Sequence, residues 1–141
     1  MAGWHNRPMA FRHRLRVRYA ECDPQGIVFN ANYLLYVDVT FTELWRAAVG
    51  PWQEMVDSGY DCVVADVQLS FHAPARFDDE VDVTMDVERL GRSSIESALA
   101  FRRGEELLAS GTLRHVVVSA ESWSSVEMPA FIRDGLSGSE R

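Results

Sequence analysis

The sequence is poor in several things, and each shortage closes off a class of protein. Its 141 residues hold only 2 cysteines, Cys22 and Cys62, too few for a disulfide framework. No secretory signal is recognisable at its start, and no apolar run approaches the length needed to cross a bilayer. A soluble, cytoplasmic protein without membrane insertion is expected. Positive charge is outweighed: 14 Lys and Arg against 21 Asp and Glu give a formal net charge of -7, a field that opposes nucleic acid. There is no G-x-S-x-G elbow, no Walker A loop, no C-x-x-C and no H-E-x-x-H. The histidines His5, His13, His72 and His115 are scattered, and no His/Cys cluster has zinc spacing, so neither metal nor cofactor is expected.

What is present reads as one ordinary globular domain over residues 1–141, with a hydrophobic fraction of 47% and a charged fraction of 25%. Met1–Pro8 show no period and, with residues 137–141, are expected to be flexible tails. "FRHRLRVRY" then alternates strictly. Phe11, His13, Leu15, Val17 and Tyr19 fall on one face, and Arg12, Arg14, Arg16 and Arg18 on the other. The arginine stripe suits either phosphate or water; one-sided charge on a strand ordinarily means water.

After a Pro- and Gly-containing turn, Tyr33, Tyr36, Val37, Phe41, Leu44, Trp45 and Ala48 recur at helical spacing. Asn30 or Asn32 is placed to cap this helix and Gly50-Pro51 to stop it. From Cys62 the period changes to two. Val63, Ala65, Val67, Leu69 and Phe71 form one such run, Val81, Val83, Met85 and Val87 the next, then Ile95 to Phe101 and Leu107 to Ser119. "HAPARFDD", "RLGRSS" and "RRGEE" supply the turns, and connections this short imply antiparallel neighbours. "MPAFIRDGL" suits a final helical turn. One long apolar helix with about five antiparallel strands is an α+β arrangement, and wrapping a curved sheet around the helix buries its aromatic stripe.

Two side chains invite a chemical reading. Cys22 lies between Glu21 and Asp23, whose negative charge works against a reactive thiolate, so it reads as a small packed hydrophobe. Asp23 stands ahead of a helix start, where free N–H groups could polarise a carbonyl facing its carboxylate. Asp also caps Asp-Pro turns, and the residues alone leave both roles open. His115 shares a strand face with Leu113 and Val117 and reads as a satisfied core residue.

"YAECDPQGIVFNANYLLYVD" resembles the signature of the hotdog-fold thioesterases of the 4-hydroxybenzoyl-CoA thioesterase family. The match includes Asp-x-x-Gly-Ile/Val-Val, then Asn-Tyr, then an acidic residue on the helix. "VVADVQLSFHAPARFDDEVDV", "RLGRSSIESALAFRR" and "LLASGTLRHVVVS" resemble the family's later strands, so the likeness runs from about Phe11 to Leu136. It implies a hotdog fold: a five-stranded antiparallel sheet wrapped around one long central helix, in a homodimer or homotetramer. It implies hydrolysis of acyl-CoA to a carboxylic acid and coenzyme A without metal or cofactor. Asp23 aligns with the catalytic carboxylate and Asn30 with the residue whose backbone N–H grips the thioester carbonyl. Asn stands where relatives often carry an aromatic or histidine, and Glu21 where one relative has a second Asp.

Gly26 is expected to bring the backbone close to substrate. Arg89 and Arg92, flanking a Gly turn beside Ser93 and Ser94, are the candidates for the coenzyme A phosphates, against the plainer reading of a solvated turn. Two other functions fit the same fold. A hydratase or dehydratase would pair an acidic residue with a nearby histidine, which the stretch from Asp23 to the helix end lacks. A non-catalytic acyl-CoA-binding or envelope-associated scaffold would not need Asp23 at all.

Overall fold

The computed structural model describes residues 10–138. The expected tail Met1–Pro8 lies outside that span, as do residues 139–141; Ser137 closes a helix and Gly138 caps it in the left-handed region. Five strands run in chain order: β1 (Phe11–Arg16), β2 (Tyr60–Phe71), β3 (Glu80–Leu90), β4 (Ser94–Arg103) and β5 (Glu106–Ser119). They form one antiparallel sheet in the order β1-β3-β4-β5-β2. A central helix (Asn32–Ala48) lies on its inner face, with shorter helices at Trp52–Asp57 and Ala130–Ser137. This is the hotdog arrangement.

The packing follows from the two periods. Val81, Val83, Met85 and Val87 of β3 and Ile95, Leu99 and Phe101 of β4 are buried on the inner face, as are Leu113 and Val117 of β5. They meet Tyr33, Tyr36, Val37, Phe41, Leu44 and Trp45 of the helix. Val37, Val39, Thr40 and Thr42 each cost the helix up to roughly 0.7 kcal/mol in propensity. Burying one large apolar side chain returns about 1.5–3 kcal/mol, so tertiary packing holds this helix.

The helix start differs from expectation. Ala31 occupies the cap position and no side chain caps it. Asn32 is the first helical residue, and its Nδ2 donates instead to the main-chain carbonyl of Glu21 at 2.8 Å. At the other end Val49 and Gly50 both donate to Trp45 O, and Gly50 takes φ 143°. Pro51 then opens the helix Trp52–Asp57, which the sequence reading did not separate; Trp52 packs on Trp45 with centroids 5.3 Å apart.

β1 stops at Arg16, and the chain makes a 3-10 turn over Tyr19–Glu21. Tyr19 therefore leaves the inner face and is 79% exposed, edge-on to Phe77 at 5.7 Å. The arginine stripe is ion-paired on the outer surface: Arg14 with Asp82 at 2.9 Å, Arg16 with Glu80 at 3.2 Å, Arg18 with Glu21 at 2.6 Å, and Arg12 more distantly with Asp82. β2 is an edge strand. Its alternation breaks at a register shift between Val64 and Asp66, and Phe71 emerges 52% exposed.

Candidate active site

Asp23 opens a tight turn. The Gly26 N–H donates to Asp23 O at 2.8 Å, and the Gln25 N–H to Asp23 Oδ1 at 2.8 Å. Gly26 has φ 81°, a conformation that favours glycine, and a Cβ there would meet nothing within 4 Å. What the position requires is backbone conformation. Gly26 does not line the neighbouring cavity, and its N–H is committed to the turn.

The chain then doubles back. Cys22 bridges Val28, and the Asp23 N–H donates to Ile27 O at 2.9 Å. The returning leg is pinned to the Pro-Ala-Arg corner: Ile27 bridges Arg76, and the Val28 N–H donates to Ala75 O at 2.8 Å. So Asp23 reaches the helix start through this fold-back and not by adjacency in sequence.

A cavity of about 430 Å³ results, lined by Asp23, Gln25, Ile27, Val28, Asn30 and Tyr33 from this segment and by Phe71, His72, Ala73 and Pro74 from the end of β2. An apolar chamber of about 390 Å³ adjoins it, sharing Asn30 and Phe71 and continuing along Ala31, Leu34, Val67 and Leu69. At the helix start, the N–H of Asn32 donates to Phe29 O and that of Tyr33 to Asn30 O. The N–H groups of Asn30 and Ala31 have no acceptor among the described residues. Free donors at a helix N-terminus, together with the macrodipole, favour an oxygen that gains negative charge. One oxygen of Asp23 is held by Gln25 and the other has no partner among the described residues.

The sequence reading missed the far wall. His72 lies in the same cavity as Asp23, with Nε2 2.9 Å from Ser110 Oγ. Tyr33 stands edge-on to both Phe71 (5.0 Å) and Phe101 (5.2 Å), and burial raises its phenol pKa. The only local clue was that "SFHAP" ends a strand with a histidine and a proline-bounded corner.

Arg89 and Arg92 are not brought to Asp23 within one chain. They flank the turn at the end of β3, whereas the Asp23 loop meets the corner that precedes β3. The 11 residues of β3 put the two ends on the order of 30 Å apart. Arg89 lies 3.4 Å from Glu96, and the Arg92 carbonyl accepts the Met128 N–H.

Both cysteines are free. Burial, with Asp61 adding to it, pushes the Cys62 thiol up to about 12, so it is no nucleophile at neutral pH. His115 is buried as expected, yet its Nδ1 has no hydrogen-bond partner among the described residues, so it is not the satisfied core residue its strand position suggested.

The sequence matches the thioesterase superfamily over residues 25–110. It is 27% identical over 117 residues to YneP of Bacillus subtilis, whose own assignment as an acyl-CoA thioesterase is provisional, covering 82% of this chain and 85% of that one. It is 27% identical to the acyl-CoA thioester hydrolase YbgC of Escherichia coli over 60% of this chain and 63% of that one. The fold matches the crystal structure of an Aquifex aeolicus protein with a TM-score of 0.84 at 26% identity, covering 89% of this chain and 98% of that one. A 1,4-dihydroxy-2-naphthoyl-CoA thioesterase from Synechocystis matches with a TM-score of 0.85 at 15% identity, over 94% and 99% of the two chains. The chain belongs to the thioesterase superfamily, and it is a thioester hydrolase.

Proposed function

We propose that the chain hydrolyses acyl-CoA thioesters, with Asp23 as the catalytic carboxylate and the Asn30 N–H as the donor to the thioester carbonyl. The observation that carries this reading is their meeting in one cavity beside an apolar chamber suited to an acyl group. The likeness to YneP and YbgC supports coenzyme A as the leaving group.

Two routes use the same groups. In one, Asp23 attacks the carbonyl carbon, the C–S bond breaks, and coenzyme A leaves as a thiolate that takes a proton from water. Water then hydrolyses the mixed anhydride, restoring Asp23 and releasing the acid. In the other, Asp23 takes a proton from a water that attacks the carbonyl carbon, the C–S bond breaks, and the proton passes to the departing coenzyme A thiolate.

The active form we propose is a cytoplasmic homodimer or homotetramer. Among the described residues β2 is a sheet edge; Leu34 and Phe71 are exposed in the chamber that Val67 and Leu69 of β2 line, and Leu35 and Val39 of the same helix are exposed as well. Two-fold antiparallel pairing of β2 edges would bring the Tyr60 end of a second copy against the Phe71 end of this one. Tyr60 pairs with Ser119, and Ser94 pairs with Val116, so the turn carrying Arg92 lies at the Tyr60 end. Arg89 and Arg92 of the partner subunit would then approach the cavity mouth, where coenzyme A phosphates would lie.

One observation favours a second reading. His72 shares the cavity with Asp23, the acid–histidine pairing that hydration of an enoyl-CoA would need. Assay of the purified protein over short, long and aromatic acyl-CoA esters, with an enoyl-CoA alongside, tests both. Release of free thiol supports hydrolysis; loss of the enoyl chromophore without thiol release supports hydration.

A further inference from the structure

Two side chains one turn apart on the central helix hold the same residue. Asn32 Nδ2 donates to the main-chain carbonyl of Glu21 at 2.8 Å, and the Tyr36 hydroxyl donates to Glu21 Oε1 at 2.7 Å. The Phe29 N–H donates to the same carbonyl at 2.9 Å. Arg18 completes the set: its N–H donates to Oε1 at 2.8 Å, and its guanidinium reaches Oε2 at 2.6 Å. Glu21 is thus tied to Arg18 just beyond β1, to the returning leg of the loop and to two positions of the helix. It is only 6% exposed.

The electrostatics agree with the geometry. Burial pushes the Glu21 carboxyl up, but the Arg18 N–H, the Tyr36 hydroxyl and the Arg18 guanidinium together outweigh it and hold it below its ordinary value. Burial and the facing carboxylate raise the Tyr36 phenol, so Tyr36 stays a donor. An ionised carboxylate taken out of water is an expensive way to fill space, and a hydrophobe of the same volume is often as stable or more so.

Asp23 lies two positions beyond Glu21, and its main chain is bonded only within its own fold-back, to Ile27 and Gly26. Its carboxylate accepts one bond within its own turn, and Pro24, Gln25 and Gly26 are exposed. We propose that Glu21, gripped by Asn32 and Tyr36, is a positioning residue that fixes the Asp23 carboxylate against the Asn30 N–H. This rests on the reading of Asp23 as the catalytic group. Reactive geometry tolerates little slack, since a misplacement of about 1 Å costs on the order of a hundredfold in rate. A loop tied to the helix by main-chain contacts alone would have that freedom. The two-rung grip joins the segment carrying Asp23 to the helix that follows directly on the Asn30 and Ala31 donors.

The test uses the full chain, with the acyl-CoA that it turns over best, and measures kcat, KM and melting temperature. Tyr36→Phe deletes one hydroxyl, leaves no cavity and decides the matter even where Glu21→Ala does not fold. Its kcat is expected to fall about tenfold with KM within about twofold, the pattern of an interaction realised in the transition state. Glu21→Ala is expected to fall on the order of a hundredfold, and Glu21→Gln, whose one amide oxygen still accepts from the Tyr36 hydroxyl and the Arg18 N–H but not from the Arg18 guanidinium, to recover most of that. A Tyr36→Phe protein with a lowered melting temperature and the parent kcat overturns the proposal, as does Glu21→Gln falling as far as Glu21→Ala. Asp23→Asn separates the two levels. If it is inactive while the Tyr36 and Glu21 variants keep the parent kcat, positioning alone fails. If it keeps the parent rate, the catalytic reading fails and takes the positioning with it.

Discussion

The imidazole of His115 lies flat on the ring of Phe41, with centroids 3.6 Å apart and planes within 11°. Burial depresses its pKa from the ordinary 6.5 to about 4, because taking the charged ring out of solvent costs more than taking the neutral one. The folded state therefore holds His115 neutral, while the unfolded chain protonates it near pH 6.5. Its contribution is complete above that value and is lost as pH falls through 4. Stability should drop by up to about 3 kcal/mol across that window. Urea titrations at pH 7.5, 5.5 and 4.5 measure the slope, and His115→Phe should flatten it.

Asp23→Asn keeps the shape and the acceptor for the Gln25 N–H but removes the charge and the nucleophilic oxygen pair. A turn cap would tolerate the change, since Asn and Asp are comparable in that role. A catalytic carboxylate would not. We expect kcat to fall on the order of a hundredfold or more, KM to change little and the melting temperature to hold. A folded variant that still turns over its best thioester near the parent rate would sink the mechanism.

Neither thiol should matter to turnover. Cys62 has its pKa pushed up to about 12 and should resist iodoacetamide at pH 8 in the native protein while reacting once unfolded. Mass spectrometry of both states reads this directly. Cys22→Ser should keep kcat within about twofold, a result that also separates the carboxylate mechanism from a cysteine one.

Gly111 in β5 sits where no side chain fits. A Cβ there would lie 1.8 Å from the Gln68 carbonyl oxygen of β2, a backbone atom that cannot step aside. Gly111 also pairs with Leu99 on its other flank, so the strand is held from both sides. Gly111→Ala should cost roughly 3 kcal/mol and loosen the edge strand that forms one wall of the cavity. Thermal melting measures the first effect, and faster amide exchange in Tyr60–Phe71 the second.

The exposed apolar face of the helix should be covered in solution. Leu35→Glu places a charge there without disturbing the core, since Leu35 is 43% exposed. Sedimentation should show a shift toward monomer, with kcat/KM falling as subunits separate. A parent protein that sediments as a monomer and is fully active would contradict the proposed oligomer.

How much of this was legible in the chain can be argued from particular elements. Val81, Val83, Met85 and Val87 alternate with Asp82, Thr84, Asp86 and Glu88, and the observed burial follows that pattern residue by residue. A period of two leaves a strand little choice of face, and helical spacing fixes the stripe from Tyr33 to Trp45 in the same way. Asp23 stood out only through the family resemblance, because by its residues alone an Asp opening an Asp-x-x-Gly turn suits a cap as well as a catalytic group.

The rest depended on contacts between distant residues. Nothing local announces that β2 ends the sheet, that Phe71 therefore stays exposed, or that His72 closes the cavity opened by Asp23. The same holds for Tyr19, whose alternation pointed inward until the Tyr19–Glu21 turn rotated it out. Arg89 and Arg92 looked suitable because Arg beside Gly and Ser suits a phosphate anywhere. Which end of the sheet they occupy is set by strand pairing, to which local composition is blind. Sequence determined which faces are apolar and that Asp23 opens the turn ahead of the helix; the antiparallel register determined what stands opposite it, because a cavity is made by segments that meet only when the sheet closes on its helix.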